Sequence, residues 1–168
     1  MKVPSVLALW FLAPWLAASP MDDVKRLLEE DVSPSQRPNI AAKINGILAL
    51  EVRGDLDIAE QIEAARIAGD YRLLECLPLL LKKVVRLAPV LDREESLERM
   101  YPCVGAIVGM GERVVPRLLV AIGEAERDAE GDAEGQLKGK LLRYALMRID
   151  SKAKALKLWM LQGNVLWC

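Results

Sequence analysis

The chain has 168 residues with 23 basic and 24 acidic side chains, and this balance gives no support to non-specific nucleic-acid binding. Histidine is absent, which removes the commonest general base, the commonest metal ligand and every nucleophile that depends on an imidazole partner. No pair of acids stands out as catalytic, so we expect no catalytic residues, no metal site and no cofactor.

The N-terminus has the pattern of a secretory signal peptide, because Lys2 precedes an apolar run over residues 3–16 and small residues follow. The run is shorter than the roughly 20 residues that a membrane-spanning helix needs. We therefore expect a signal peptide over residues 1–18 that is removed during export to the periplasm or the cell exterior. An uncleaved signal that anchors the protein in the membrane is the alternative, because Leu16 lies where cleavage sites prefer a smaller side chain.

Cleavage leaves 22 basic and 24 acidic residues on a chain that suits one domain. Apolar residues recur three and four positions apart along nearly all of it, and alternating strand patterns are missing. This spacing predicts an all-α fold that opens with an N-terminal helical cap over residues 19–54. The first cap helix is predicted over residues 21–30, and it is ended by Ser33, Pro34 and Pro38. The second cap helix stops at Gly54, and its apolar stripe consists of Ile40, Ile44, Ile47 and Leu48.

Residues 55–163 are predicted to repeat a unit of two helices joined by a tight polar turn. The first pair joins residues 56–68 and 72–87, the second 93–108 and 113–125, and the third 137–149 and 152–161. The turn acids Asp70, Glu112 and Asp150 lie 42 and then 38 residues apart. A period near 40 residues is typical of α-solenoids.

Local composition agrees with these boundaries. Gly69 and Gly111 supply turn positions that tolerate unusual backbone angles, and residues 128–135 form an acidic, glycine-bearing linker. Pro78, Pro102 and Pro116 fall inside or near helix starts, where a proline either begins a helix or bends it.

Three segments follow, to different extents, a pattern of a small, apolar helix end, then Gly-Asp or Gly-Glu, two apolar residues, proline and leucine. They are residues 65–81, 105–119 and 145–159, and the second matches best through Gly111, Glu112, Val114, Val115, Pro116 and Leu118. This pattern resembles the HEAT-repeat family, in particular the short HEAT-like repeats related to phycobilin lyases.

The resemblance covers residues 55–163 and implies an armadillo-type α-solenoid of about three antiparallel helix pairs. The first segment departs from the pattern by extra residues before Pro78, and the third lacks both glycine and proline. The family implies a curved stack that usually binds protein. No catalytic residues carry over, because only the repeat framework can be matched.

Stacked helix pairs bury their apolar faces against one another and leave a long curved surface, so the predicted function is a protein-binding scaffold. In the resembled family the second helix of each pair lines the concave side. The second helices of this chain carry the candidate partner-binding cations Arg72, Lys82, Lys83, Arg86, Arg113, Arg117, Lys154 and Lys157, whereas the first helices of the first two pairs are rich in acids. We therefore predict a basic groove for an acidic peptide or anionic protein surface, against the plainer interpretation of solvated faces without a ligand.

The three cysteines lack metal-ligand spacing. Cys76 and Cys103 lie almost symmetrically about the turn at residues 88–92, so an antiparallel hairpin would bring them to the same level. Two alternatives follow, a disulfide between them or two buried, inert thiols. Cys168 is then the odd cysteine, at a terminus where it could join two chains.

The last ten residues crowd large apolar side chains, including Trp159, Leu166 and Trp167. This apolar tail, residues 164–168 with the end of the last helix before it, either contacts another protein, a second copy or a membrane surface, or folds back to close the last repeat.

A rival function stands beside the scaffold. It is an enzyme accessory or lyase-like protein that handles a chromophore or other ligand with carboxylates. A deep pocket with two facing acids would favour this rival, and a smooth groove would favour the scaffold.

Overall fold

The computed structural model describes residues 19–29, 32–87, 96–128 and 132–149, and all regular structure in these ranges is helical. The predicted all-α class is thereby confirmed. The helices are α1 Pro20–Glu29, α2 Arg37–Ala49, α3 Asp55–Asp70, α4 Leu77–Lys83, α5 Leu97–Met100, α6 Pro102–Met110, α7 Val115–Asp128 and α8 Ala133–Ile149. Single turns of 3₁₀-helix, Leu74–Cys76 and Gly111–Val114, precede α4 and α7. The signal peptide, the second helix of the third pair and the apolar tail lie outside the described residues.

Prolines begin helices in this fold. Pro38, Pro78 and Pro102 each lie in the first turn of their helices, where a backbone N–H has no helical partner to lose. The predicted continuous helix over residues 93–108 is therefore wrong. Its described part divides into α5 and α6 at Tyr101, whose φ of −127° and ψ of 84° are not helical, as expected before a proline.

The acidic linker predicted over residues 128–135 is shorter than expected. Helix α7 continues through Asp128, and α8 already begins at Ala133. The carboxylate of Asp132 accepts hydrogen bonds from the backbone N–H groups of Glu134 at 3.0 Å and Gly135 at 3.1 Å. Much of the acidic, glycine-bearing sequence therefore caps or extends helices.

The two predicted turn glycines have different roles. Gly111 has φ +74° and ends α6, as its predicted turn role requires. Gly69 instead lies inside α3 and is buried against α6, where an added Cβ would come within 2.6 Å of the Ala106 Cα. Glycine is needed at residue 69 because two helix backbones approach there, and the turn itself begins after Asp70.

The helices share one apolar core. Helix α3 makes its most extensive contacts with α6, while α2 packs on α3 and α6 on α8. Helix α4 contacts α6, and α7 packs along α8. Fully buried side chains come from several of these helices, including Ile44, Leu80, Ile107, Leu118 and Leu142, and each such side chain stabilises the fold by about 1.5–3 kcal/mol. Within the described ranges, no helix combines the length and apolarity that a membrane span requires.

Candidate functional site

The predicted partner-binding cations lie at the connections and second helices of the first two pairs. Arg72 follows α3, Lys82 and Lys83 end α4, and Arg86 lies in the turn after it. Arg113 occupies the 3₁₀ turn before α7, and Arg117 lies in the first turn of α7. All of them are exposed except Lys83, which is half-buried. Lys154 and Lys157 are outside the described residues.

Lys83 does not belong to an exposed binding surface. Its Nζ donates hydrogen bonds to the Leu50 carbonyl at 2.9 Å and to Gln61 Oε1 at 2.8 Å. The Nε2 of Gln61 donates to the same carbonyl at 2.9 Å. Burial lowers the pKa of Lys83 below its usual value, and the neighbouring cations Lys82 and Arg86 act in the same direction. The structure thus assigns Lys83 to a polar network that holds the connection between α2 and α3.

Arg86 is also engaged within the chain. Its Nε lies 3.4 Å from Glu134 Oε1 at the start of α8. The four cations that remain, Arg72, Lys82, Arg113 and Arg117, form no ion pair within the described residues. Glu75, Glu112, Glu124 and Asp128 are exposed acids on the same segments, so the four cations and the exposed acids beside them are equal in number. We call these four cations the cation set.

Several acids of the first helices, by contrast, are neutralised by nearby arginines. Arg66 bridges Glu63 at 2.7 Å and Asp70 at 3.1 Å along α3, and the hydrogen bond from Arg66 lowers the pKa of Glu63. Glu98 of α5 accepts from Arg148 of α8 at 2.6 Å. Three acids of the first helices are therefore paired with arginines, whereas Asp55, Asp57 and Glu60 of α3 form no ion pair within the described ranges.

A cavity of about 580 Å³ lies between α3 and the α5–α6 segment. Its lining includes Gly69, Gly105, Ala106 and Gly109, because small residues let the two helices cross closely. Asp70 and Glu98 both line it. Each accepts a hydrogen bond from an arginine, and Glu98 also accepts one from the Tyr144 hydroxyl at 3.3 Å. The two acids are thus engaged in ion pairs and not left facing each other.

Cys76 and Cys103 are both buried free thiols, which is the second of the two alternatives predicted for them. Burial raises the pKa of each thiol to about 12. A thiol with such a pKa is not nucleophilic at neutral pH. Cys168 lies outside the described residues.

Gln61 has a structural role that the sequence interpretation did not predict. It is the buried polar side chain of α3, with 1% of its surface exposed. The spacing of apolar residues in α3 could have indicated that Gln61 is buried. Gln61 shares the three- and four-residue spacing of the buried stripe formed by Ala64, Ala65 and Ala68, where a polar residue needs a reason.

No group of three or more carboxylate or thiol side chains that could hold a metal occurs within the described ranges. Comparisons of the chain with protein-family models, with curated proteins and with solved structures found no significant match. The HEAT-like assignment and the signal peptide accordingly stay predictions from the sequence.

Proposed function

We propose that this protein is an exported, HEAT-like scaffold without catalytic activity that binds an acidic peptide or an anionic protein surface. One observation carries the proposal. The cation set, Arg72, Lys82, Arg113 and Arg117, is exposed and unpaired within the described residues, whereas Glu63, Asp70 and Glu98 on the first helices are engaged with arginines.

The order of helix packing supports the repeat arrangement in this proposal. The first helices follow one another, since α3 contacts α6 and α6 contacts α8. Each second helix also contacts the first helix of the next pair, α4 on α6 and α7 on α8. Contacts between successive units are what a stack of helix pairs requires, because each pair can hide its apolar face only against its neighbours.

The expected strength of this binding is modest, because the side chains of the cation set are exposed to solvent. Exposed ion pairs contribute about 0.2–1 kcal/mol each, so four of them contribute about 1–4 kcal/mol. Their attraction is screened over about 10 Å at 0.1 M salt. The cation set therefore steers and orients an acidic partner, and its effect declines as salt rises.

The test is charge reversal of the cation set. A fluorescently labelled poly-glutamate peptide serves as the probe, with binding followed by anisotropy at low and moderate salt. The variant R72E/K82E/R113E/R117E should bind the probe at least about tenfold more weakly than the wild type, because four favourable charges become repulsive.

The matched control reverses four cations outside the second helices, K25E/R99E/K138E/K140E, and so gives the same net charge. If both variants lose binding equally, the attraction reflects net charge alone and the proposed surface is wrong. Unchanged binding by the first variant also contradicts it.

The lyase-like or enzyme-accessory alternative gains no support from the cavity between α3 and α6. That alternative requires two facing acids that are free to move a proton. Asp70 and Glu98 line the cavity, but each is paired with an arginine.

A further inference from the structure

The cavity between α3 and the α5–α6 segment has an apolar interior and a polar mouth. Its less exposed lining is apolar, since Ile62, Pro102 and Ala106 are buried or half-buried. Ser96 and Arg99 line it as exposed polar residues. Its volume of about 580 Å³ falls within the range of small-molecule sites, about 300–1,000 Å³. This combination favours a ligand that has both an apolar body and a polar head.

Both acids that line the cavity within the described residues already have a cationic partner. Asp70 is paired with Arg66 at 3.1 Å, and Glu98 accepts a hydrogen bond from Arg148 at 2.6 Å. Glu98 also accepts one from the Tyr144 hydroxyl at 3.3 Å. The mouth therefore offers no uncompensated carboxylate that would hold a cationic ligand.

The hydrogen-bond donors beside these acids are in excess. Arg99 forms no ion pair within the described ranges. Arg66 uses three N–H groups on Glu63 and Asp70, so two of the five donors of its guanidinium are left. Ser96 precedes α5, but its hydroxyl does not cap that helix. These donors favour an anionic head. One unpaired guanidinium balances one negative charge, and a carboxylate matches its planar geometry.

The cavity volume limits the size of the ligand. At roughly 30 Å³ for each non-hydrogen atom, which is the volume per molecule of liquid water, the cavity holds at most about 20 such atoms. Because its mouth is open, part of this space stays hydrated. A body of roughly ten carbon atoms therefore fits inside and leaves the head at the mouth.

We infer that this cavity is a binding site for a small amphipathic carboxylate. The apolar body packs against Ile62 and the crossing of α3 and α6, and the carboxylate pairs with Arg99. Burial of the body supplies most of the affinity, and Arg99 selects the charge of the head. The ligand is held without a chemical change. The site differs from the cation set, so the inference goes beyond the proposed scaffold and does not rest on it.

Titration calorimetry of the full chain with sodium decanoate is the test. Decanoate has about twelve non-hydrogen atoms, and we expect saturable binding at one site with a dissociation constant on the order of 0.1 mM. Decyltrimethylammonium has the same apolar chain with a cationic head, and butyrate has the same head with a much shorter chain. Both should bind at least about tenfold more weakly, because each lacks one half of the match.

Two substitutions locate the binding site, each with a matched control. Arg99→Glu should weaken decanoate binding at least about fivefold, because an attractive charge becomes repulsive. Lys140→Glu makes the same change of net charge outside the cavity lining and should leave binding unchanged. Ile62→Trp should weaken binding at least about tenfold, because the larger side chain takes the space of the apolar body. Leu56→Trp, at a position of α3 that is 83% exposed, should not change it.

Arg99 is exposed, so its substitution gives a result even if Ile62→Trp disturbs the fold. Poly-glutamate binding should be the same in the wild type and in Ile62→Trp, because it depends on the cation set. Failure of the cavity site is therefore distinguishable from failure of the proposed function.

Several results would overturn the inference. They are the absence of saturable decanoate binding, equal binding of decyltrimethylammonium, or the same affinity in Arg99→Glu as in Lys140→Glu. Tighter decanoate binding after removal of residues 163–168 would also overturn it, because the apolar tail would then be the occupant of the cavity.

Discussion

Gln61 and Lys83 both donate hydrogen bonds to one backbone carbonyl, which is far from both of them in the chain. Gln61 lies in the apolar stripe of α3, and Lys83 lies in a run of cations that the sequence assigns to a groove. Both donate to the carbonyl of Leu50, which is 11 residues from Gln61 and 33 from Lys83. The same carbonyl thus removes one cation from the predicted surface and gives a buried amide its partner.

Gln61→Leu tests this network at the scale of one residue. The substitution keeps the volume but removes two hydrogen bonds and leaves the half-buried Lys83 with a single partner. We expect the free energy of unfolding to fall by about 1–3 kcal/mol in urea denaturation. Gln136→Leu on the exposed face of α8 is the control and should change stability by less than about 0.5 kcal/mol. Equal effects of the two substitutions would show that the network contributes no stability.

The crossing of α3 and α6 decides the geometry at the scale of elements. Gly69 packs against Ala106, and a Cβ added at Gly109 would lie 3.2 Å from the Gly69 carbonyl oxygen. Small residues on both helices therefore bring the two backbones together and form the floor of the cavity beside them. The same glycines are weak helix formers, so the contact must offset their cost in backbone entropy.

Gly69→Ala should force α3 and α6 apart, because the new methyl group would lie 2.6 Å from the Ala106 Cα and backbone cannot yield as a flexible side chain does. We expect a loss of about 1–3 kcal/mol in the free energy of unfolding. Gly46→Ala is the matched control, since an added Cβ there meets nothing within 4 Å. It should stabilise α2 by about 0.5–1 kcal/mol. Stabilisation by both substitutions would contradict the close crossing.

At the scale of the whole molecule, the last two described helices each expose a large apolar side chain. Val120 of α7 is 62% exposed and Met147 of α8 is 66% exposed. Nineteen residues follow Ile149, the last residue of α8, and they include Trp159, Leu166 and Trp167. The proposed repeat stack needs its last apolar face covered. We therefore expect the tail to close this end of the molecule.

The tail carries its own spectroscopic probe, because removal of residues 1–18 leaves Trp159 and Trp167 as the tryptophans of the chain. In the full chain with Trp10→Phe and Trp15→Phe, closure should shift tryptophan emission to the blue, and urea should reverse the shift. Size exclusion should give a monomer both with and without residues 163–168. An oligomer that disappears on truncation would instead assign the tail to self-association.

The sequence by itself determined the helical class and the turn at Gly111. These properties are local, because the spacing of apolar side chains and the missing N–H of proline act within one or two turns. The sequence interpretation left open whether Pro78 and Pro102 begin or bend helices, and the structure begins a helix at or just before each of them. The positive φ of Gly111 likewise has a local cause and was predictable.

Only the tertiary structure decided which charged groups are free and why particular residues are needed. Lys83, Arg86 and Gly69 were each assigned from neighbours in sequence, and their actual partners are Leu50, Glu134 and Ala106, all distant in the chain. Pairing, burial and close approach are properties of the packed chain, because each depends on residues that only folding brings together.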